Sequence, residues 1–198
     1  MSKILESLQN TVIAGVVLAI VLFLLYYGVQ GYTGSDFGPF FFRWLHVLSG
    51  VMWIGLLWYF NFVQIPSMPK IPDEQKPAIG KVIAPAALFW FRHAAMATIL
   101  TGLILAWMNG YLHEALLIGL TDGVPKHMAI GIGMWLGTIM WFNVWFVIWP
   151  NQKKVLGIVE ADADAKKAAA RTAMLFSRTN TLLSIPMLFA MVSAQNIY

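Results

Sequence analysis

The sequence predicts an all-α integral membrane protein, a helical bundle of about five transmembrane helices. Hydrophobic residues make up 59% of the chain and charged residues only 11%, whereas soluble domains carry roughly 25% charged residues. The mean hydropathy is +0.70. Apolar stretches of about 20 residues recur along the chain, which is the length that a helix needs to cross a bilayer. The lipid bilayer is therefore the first expected partner.

The composition also excludes several kinds of chemistry. The chain contains no cysteine, so it has no disulfides, no thiolate metal sites and no C-x-x-C-H motif for covalent haem attachment. The net charge of +4 is typical of basic loops beside a membrane. No basic patch with interleaved aromatics is present of the kind that binds a nucleic-acid strand, so we expect no nucleic-acid partner.

The helices follow in order from the apolar runs. The N-terminal stretch MSKILESLQNTVIAGVVLAIVLFLLYYGVQ is interpreted as a retained transmembrane helix. Its apolar run is longer than that of an ordinary signal peptide, and it lacks a small-x-small cleavage site. We detect no internal repeat and treat residues 1–198 as a single membrane domain. The five predicted spans are 11–31, 39–65, 84–110, 127–150 and 172–194.

Three connections separate the later spans. Residues 66–83 are rich in proline and lysine and are predicted to form a loop. Residues 111–126 are short and partly apolar, which fits a small helix along the membrane interface. Residues 151–171 are rich in alanine and charged side chains and are predicted to form a solvated helical connection.

The distribution of lysine and arginine predicts the orientation. These residues concentrate in the N-terminus and in the connections 66–83 and 151–171, whereas the other side has only Lys126, with Arg43 at the edge of the second span. Cytoplasmic loops carry the excess of positive charge. We therefore expect the N-terminus inside and the C-terminus outside.

Two histidines on predicted spans share a local pattern. His46 opens HVLSG and His127 opens HMAIG, so Gly50 and Gly131 follow four residues on. Residues i and i+4 lie on one face of a helix, and a glycine there leaves room beside the imidazole for a flat group. Because haem iron is commonly held by histidine, we predict that His46 ligates a haem iron, with His127 as its partner.

Other interpretations of these histidines stay open. Glycine in membrane helices often serves close packing, and a lone histidine often bonds to a neighbouring helix. His93 is a second candidate for cofactor binding. Its estimated depth differs from that of His46 by roughly 15 Å, which suggests two sites rather than one. A metal site without porphyrin is disfavoured because no H-x-x-x-H pattern occurs.

A second polar set lies towards the predicted cytoplasmic side. Arg92, Asn143 and Arg178 fall at comparable depth, and no acidic residue lies within any predicted span. Buried arginine rarely stays unpaired, and its planar fork suits oxyanions. We predict a binding site for an anionic substrate or a haem propionate. The alternative is that these arginines extend to lipid headgroups and fix the topology.

Three stretches carry a resemblance to a known family. WLHVLSGVMWIGLLWYFNFVQ, WFRHAAMATILTGLIL and GMWLGTIMWFNVWFVIWPNQKKVLG resemble the membrane domain of urate hydroxylases fused to a c-type cytochrome, the urate oxidase N-terminal family. The resemblance runs from about residue 39 to the C-terminus, and NVWFVIWPNQKK is its most specific part. The chain is also distantly similar to HemJ-type and CopD-like membrane haem proteins.

The resemblance implies an oxidoreductase of the inner membrane. Fused members oxidise urate to 5-hydroxyisourate and pass electrons to their cytochrome. The resemblance makes His46 the best ligand for a haem b, places Arg92 and Asn143 in family-like motifs, and makes urate a candidate anion for the arginines. It does not fix the substrate.

The departure from the family pattern is the missing C-x-x-C-H motif. We therefore expect a haem b protein that passes electrons to a separate periplasmic cytochrome c or to a larger membrane complex. The alternative is a non-catalytic accessory subunit of a respiratory or monooxygenase complex.

Overall fold

A computed structural model of the chain describes residues 2–31 and 34–198. The described residues form helices and connecting turns, with no strand among them. This confirms the predicted all-α fold, and five of the described helices are long and apolar enough to cross a membrane. They are α1 (Leu8–Gln30), α2 (Ser35–Lys70), α3 (Lys76–Met108), α4 (Pro125–Val155) and α5 (Ala163–Asn196).

Two short helices complete the described chain. Ser2–Leu5 precedes α1, and Leu112–Leu116 lies between α3 and α4, where the sequence predicts a small helix. α5 begins after Asp162, whose side chain accepts a hydrogen bond from the Ala165 amide at 2.7 Å, as expected for an N-cap residue. The charged, alanine-rich part of the predicted connection 151–171 is therefore the first part of α5.

The prediction of a loop over 66–83 is wrong for most of that stretch. Helical structure continues to Lys70 and resumes at Lys76, so only residues 71–75 lie outside helices. The prolines in this stretch misled the interpretation. Proline lacks the N–H of a regular helix and clashes with the carbonyl four residues earlier, but here Pro66 follows a locally wider turn, Pro69 lies in a 3₁₀ turn and Pro77 lies in the first turn of α3.

Three wider, π-helical segments occur among the described residues. They span Tyr59–Gln64 in α2, Ile79–Ile83 in α3 and Asn143–Ile148 in α4. Each ends two residues before a proline, namely Pro66, Pro85 and Pro150. The proline removes one regular backbone hydrogen bond and thereby favours the π register. Such segments frequently occur at functional sites.

The contacts divide the chain into two compact units, one up to Phe41 and one from Phe42 onward. The first unit contains α1 and the first turns of α2. α1 is apolar around its whole circumference, and no residue of its most apolar window is buried, as expected of a helix that faces lipid. The Phe23 ring packs against the Phe37 ring at 4.7 Å between centroids.

The second unit is an antiparallel arrangement in which α2, α3, α4 and α5 contact one another in sequence order, and α5 returns to α2. The ring of Phe60 on α2 packs on Phe91 of α3 at 5.7 Å, and Asn61 donates a hydrogen bond to Ser177 of α5 at 2.8 Å. Apolar side chains from all four helices share one core. Its largest fully buried members are Trp53, Leu57, Phe91, Met140 and Val144.

The two ends of this unit differ in charge. α2 ends at Lys70, α3 begins at Lys76, and α4 ends beside Lys153 and Lys154. We call this the lysine-rich end. The end with His46, His127 and the Leu112–Leu116 helix is called the histidine end.

Candidate functional site

The structure fixes the ring orientation of His46. Nδ1 of His46 lies 3.0 Å from the backbone oxygen of Thr98 on α3. A carbonyl oxygen only accepts hydrogen bonds, so Nδ1 carries a proton, and in the neutral imidazole this leaves the lone pair on Nε2. Among the residues that the structure describes, Nε2 has no hydrogen-bond partner. Metal-ligating histidines commonly donate their other ring N–H to a carbonyl in this way.

Glycine supplies the space on both sides of this imidazole. A Cβ atom on Gly102 of α3 would lie 2.9 Å from Cε1 of His46, so the ring packs directly on that glycine. Beside Gly50, one turn along α2 from His46, the space is open, with nothing within 4 Å of a Cβ position. The sequence indicates Gly50. It gives no signal for Gly102, because only packing brings the two helices together there.

His127 has a different environment at the same end. Its Nδ1 lies 2.5 Å from Oδ2 of Asp122, and its ring stacks on Tyr111 at 5.8 Å. Burial raises the pKa of Tyr111, and the positive charge of Arg43 acts in the opposite direction. Arg43 lies three residues before His46, so Tyr111 links the surroundings of the two histidines.

Gly131 does not offer the space that the sequence suggests. A Cβ atom on Gly131 would overlap the backbone oxygen of Ala115 and lie 3.1 Å from Cα of Ile118. The short helix and the turn after it therefore occupy the face of α4 beside this glycine. Gly131 serves close packing, which is the alternative that the sequence analysis left open, and a flat cofactor does not fit beside it.

His93 lies on the other side of α3 from His46. It is nine residues from Gly102, which is about two and a half helical turns and places the two on opposite faces. The His93 ring is exposed, packs on Phe89 at 4.2 Å, and meets the Trp145 ring edge-on at 5.9 Å. His46 and His93 therefore cannot ligate one iron together.

The predicted anion-binding residues divide into three environments. The guanidinium carbon of Arg92 lies 3.4 Å from the centroid of the Trp149 ring, and its Nε is buried without a hydrogen-bond partner. Asn143 donates to Oδ1 of Asn180 at 2.8 Å, and Asn180 donates to the backbone oxygen of Met140 at 2.9 Å. Asn143 thus joins α4 to α5.

Arg178 does not lie with Arg92 or Asn143 within the bundle. It is exposed, whereas Ser177 and Asn180 on the same helix are buried. Residues two positions apart on a helix point about 200° apart, so Arg178 faces away from the core. This position fits the alternative interpretation, in which the side chain extends to lipid headgroups.

Sequence reasoning missed the strongest signal in the structure, which is a set of buried polar atoms without partners. Each of these atoms is inaccessible, and none has a hydrogen bond within the described part of the chain. The set comprises Nε1 of Trp53, Trp141 and Trp145, Nε of Arg92, Oδ1 of Asn61 and Oε1 of Gln64. Buried polar groups are nearly always hydrogen-bonded, so these atoms indicate where a ligand or water completes the protein.

The fold and these polar groups define a class of protein: a helical, multispan membrane-type protein with ionisable groups among its apolar helices. Residues 124–197 match a family model described as Urate oxidase N-terminal. The match confirms the predicted relationship to this family over α4 and α5. No match was found among curated proteins or among solved structures. The more distant similarity to HemJ-type and CopD-like proteins stays a prediction.

Proposed function

We propose that this chain is a haem b-binding oxidoreductase or electron-transfer protein of the urate hydroxylase type. It would lie in the bacterial inner membrane with its N-terminus inside and its C-terminus outside. The lysine-rich end would then face the cytoplasm and the histidine end the periplasm. The single observation that carries the proposal is the environment of His46, with Nδ1 on the Thr98 oxygen and Nε2 unpartnered.

The residues at His46 fit a haem in three respects. The Thr98 oxygen fixes the tautomer that leaves Nε2 as an iron ligand. Gly102 holds the other edge of the ring in place, which limits its rotation. Open space beside Gly50 leaves room for a flat macrocycle along α2. His46 would hold the haem, which supplies one-electron redox chemistry when bound.

His127 is the proposed second ligand to the iron. Its Nδ1 is engaged by Asp122, so Nε2 is the nitrogen available to a metal. A carboxylate that accepts from a ligating imidazole raises its basicity and fixes its orientation. Because the Ala115 backbone covers Gly131, the macrocycle would lie in the open space beside Gly50.

The remaining parts of the proposal concern substrate and partners. The similarity to the family and the lack of an acidic partner for Arg92 among the described residues favour an anionic small molecule such as urate as the substrate. Because the chain has no cysteine, it has no covalently attached cytochrome haem. Electrons would pass to a separate periplasmic cytochrome c or to a larger membrane complex.

The test is a reduced-minus-oxidised absorption spectrum of the purified chain in lipid nanodiscs. We expect a haem b signal that is lost in His46→Ala and partly restored by added imidazole. His113→Ala is the matched control, because His113 is exposed and plays no part in the proposal. His127→Ala tests the second ligand and should change the band shape and the midpoint potential.

A colourless wild-type protein after expression with ample haem would contradict the proposal. So would a haem signal that His46→Ala leaves unchanged. Size-exclusion chromatography of each variant shows whether the fold is retained, so that loss of haem is separated from loss of structure.

A second candidate is a non-catalytic accessory subunit of a larger membrane complex. The observation that favours it is α1, whose apolar side chains are exposed on every face and are available to other membrane helices as well as to lipid. Isolation of the chain in a stable complex, without any haem signal of its own, would support this function.

A further inference from the structure

The side of α5 that faces away from the core changes from basic to apolar along the helix. Three basic residues come first, near the lysine-rich end, and three large apolar residues follow. All six are exposed, the apolar ones by 63–71%. We call this stripe the outer face of α5, and it comprises Lys167, Arg171, Arg178, Leu182, Ile185 and Phe189.

Helix geometry places these six residues on one side of α5. They are separated by 4, 7, 4, 3 and 4 residues, and each of these steps returns a side chain to within about 60° of the one before. The buried residues of α5, such as Ala173, Asn180 and Met187, lie on the opposite side. The outer face is therefore continuous, so one long molecule can contact its basic and apolar parts together.

The length of α5 sets where the two arginines lie in a bilayer. Arg178 is 18 residues before Asn196, where α5 ends, and this corresponds to about 27 Å along the helix axis. A hydrocarbon core is about 30 Å thick. With Asn196 at one surface, Arg178 reaches the opposite boundary of the hydrocarbon, and Arg171 lies about 10 Å further out. The two side chains thus bracket the headgroup layer on the lysine-rich side.

No acidic side chain neutralises these two arginines. Within the described part of the chain, neither Arg171 nor Arg178 forms a salt bridge. No aspartate or glutamate occurs in residues 165–196, and the nearest acid on the same side of α5 is Asp164, about 10 Å of helix beyond Arg171. Unpaired arginine beside hydrocarbon is costly, so the outer face requires an anion from outside the protein.

The basic and apolar parts of the outer face together fit the two parts of a phospholipid. A planar guanidinium binds phosphate oxygens with paired, charge-assisted hydrogen bonds. From Arg178 to Phe189 the face continues into the hydrocarbon over about 16 Å, which is about the depth of one leaflet. Free phosphate would contact the basic part alone and leave the apolar part unused.

The basic residues outward of the phosphate select the headgroup. In a zwitterionic lipid, the choline or ethanolamine cation lies on the water side of the phosphate, where it would meet the positive charges of Arg171 and Lys167. A glycerol headgroup carries no cation and avoids this repulsion. We propose that the outer face of α5 binds one anionic phospholipid of the phosphatidylglycerol type, with its phosphate between Arg171 and Arg178 and an acyl chain along the apolar part of the face.

This inference goes beyond the proposed function. It requires that α5 crosses a membrane, but it requires neither haem nor a substrate. None of its residues contributes to the environment of His46 or to the unmatched buried atoms. The cytoplasmic leaflet carries the negative surface potential of a cell membrane, so an anionic lipid at this position agrees with the predicted orientation, in which the lysine-rich end faces the cytoplasm.

The experiment is native mass spectrometry of the purified full chain in neutral detergent, after removal of lipid that copurifies. Three probes are titrated: phosphatidylglycerol, phosphatidylcholine with the same acyl chains, and glycerol 3-phosphate, which has the phosphate without the tails. We expect one saturable site for phosphatidylglycerol that is at least ~5-fold tighter than for phosphatidylcholine. Glycerol 3-phosphate at the same concentration should not displace the lipid.

Variants connect this binding to the named side chains. Arg171→Gln and Arg178→Gln should each weaken phosphatidylglycerol binding ~5-fold. Arg178→Lys keeps the charge but not the paired hydrogen bonds, and should weaken it ~2-fold. Phe189→Ala shortens the apolar part and should also weaken binding ~2-fold. Lys81→Gln is the matched control, because it removes an exposed positive charge on α3, and it should leave the affinity unchanged.

Four results would overturn the inference. They are the lack of a saturable phosphatidylglycerol site, equal affinity for phosphatidylcholine, displacement of the lipid by glycerol 3-phosphate, and an equal loss of affinity in Lys81→Gln and Arg178→Gln. Size-exclusion chromatography of each variant separates loss of lipid from loss of structure. His46→Ala should keep the lipid site and Arg178→Gln should keep the haem spectrum, so failure here and failure of the proposed function are distinguishable.

Discussion

The two ends of the second unit differ in whether their buried polar groups have partners within the protein. At the histidine end, His46 is paired with the Thr98 oxygen and the backbone of Ala115 covers Gly131. Towards the lysine-rich end, Asn61 and Arg92 have buried polar atoms that form no hydrogen bond with any described residue. At the histidine end Nδ1 of His46 is satisfied by protein and Nε2 is left for a cofactor, whereas the other end leaves several buried atoms for a ligand or water.

The difference teaches how to separate structural from functional polar residues in a membrane bundle. A polar group whose hydrogen bonds end on another helix, as in the Asn143–Asn180 pair, stabilises the fold. A buried polar atom without a partner destabilises the empty protein by about 1–3 kcal/mol, and is explained if binding restores the bond. Substitutions at matched and unmatched atoms should therefore have effects of opposite sign.

The largest effect is expected where backbone meets backbone. Gly131→Ala would push a methyl group into the Ala115 oxygen and close to Ile118, and neither can move as a side chain would. We expect a loss of about 3 kcal/mol in the free energy of unfolding, measured by denaturant titration in mixed micelles. Gly137→Ala is the control, because nothing lies within 4 Å of its Cβ position. Equal stability of the two variants would contradict the packing described at Gly131.

A smaller loss is expected at the interhelical amide pair. Asn180→Leu removes two hydrogen bonds and leaves the Asn143 amide and the Met140 oxygen without this partner. We expect a loss of about 2 kcal/mol in the same measurement. Asn196→Leu, an exposed asparagine of the same helix that bonds only to its own turn, should change stability little. Similar values for both would show that Asn180 is not a matched core group.

A substitution at Gly102 tests how the position of the His46 ring depends on this glycine. Gly102→Ala places a Cβ atom 2.9 Å from Cε1 of His46, but the ring can shift, and alanine favours helix by about 1 kcal/mol over glycine. We expect a net loss of about 1 kcal/mol together with an altered haem spectrum. Gly55→Ala, which meets open space on α2, should be neutral or stabilising. An unaltered haem spectrum in Gly102→Ala would contradict a role for this glycine in positioning His46.

Removal of a buried polar atom that has no partner should raise the free energy of unfolding instead of lowering it. Gln64→Leu removes a buried oxygen that has no partner, so without ligand the variant should be about 0.5 kcal/mol more stable than the parent chain. Gln195→Leu, at an exposed position of α5, is the control. A destabilised Gln64→Leu in the absence of ligand would show that this oxygen already has a partner.

The smallest effect is a pH dependence at Asp122. Hydrogen bonds from the Val124 amide and from His127 lower the pKa of Asp122 below its usual 3.8. A carboxyl with a lowered pKa in the folded state contributes stability above its unfolded pKa, and the contribution disappears as the pH falls through the folded value. The difference in melting temperature between the parent chain and Asp122→Asn should therefore be present at pH 6 and diminish as the pH falls below 3.8 and through the lowered pKa of the folded state. Glu114→Gln serves as the comparison, and a constant difference across this range would contradict the pairing.

The sequence predicted five apolar helices and several residues of the candidate site, but not which of these residues contact one another. His46 and Arg92 stand out because charge and polarity are rare inside apolar runs. Gly102 and Trp145 do not stand out, because glycine and tryptophan are ordinary in membrane helices. Their importance comes from the residues across the helix interface, which no spacing along one helix reveals. The proline-rich stretch 66–83 shows the same limit, since Pro66 follows a π-helical segment, Pro69 lies in a 3₁₀ turn and Pro77 lies in the first turn of α3, whereas the sequence pattern assigns all three to a loop.

The sequence by itself determined the class of fold and the number of spans, because apolar length and charge density are properties of each segment alone. The tertiary structure decided which polar groups are matched. His46 donates a hydrogen bond to the Thr98 oxygen, and Gly131 packs against the Ala115 backbone. Arg92 contacts the face of the Trp149 ring. The physical reason is that a hydrogen bond between helices depends on the rotation and register of both, which the packing of the whole unit sets.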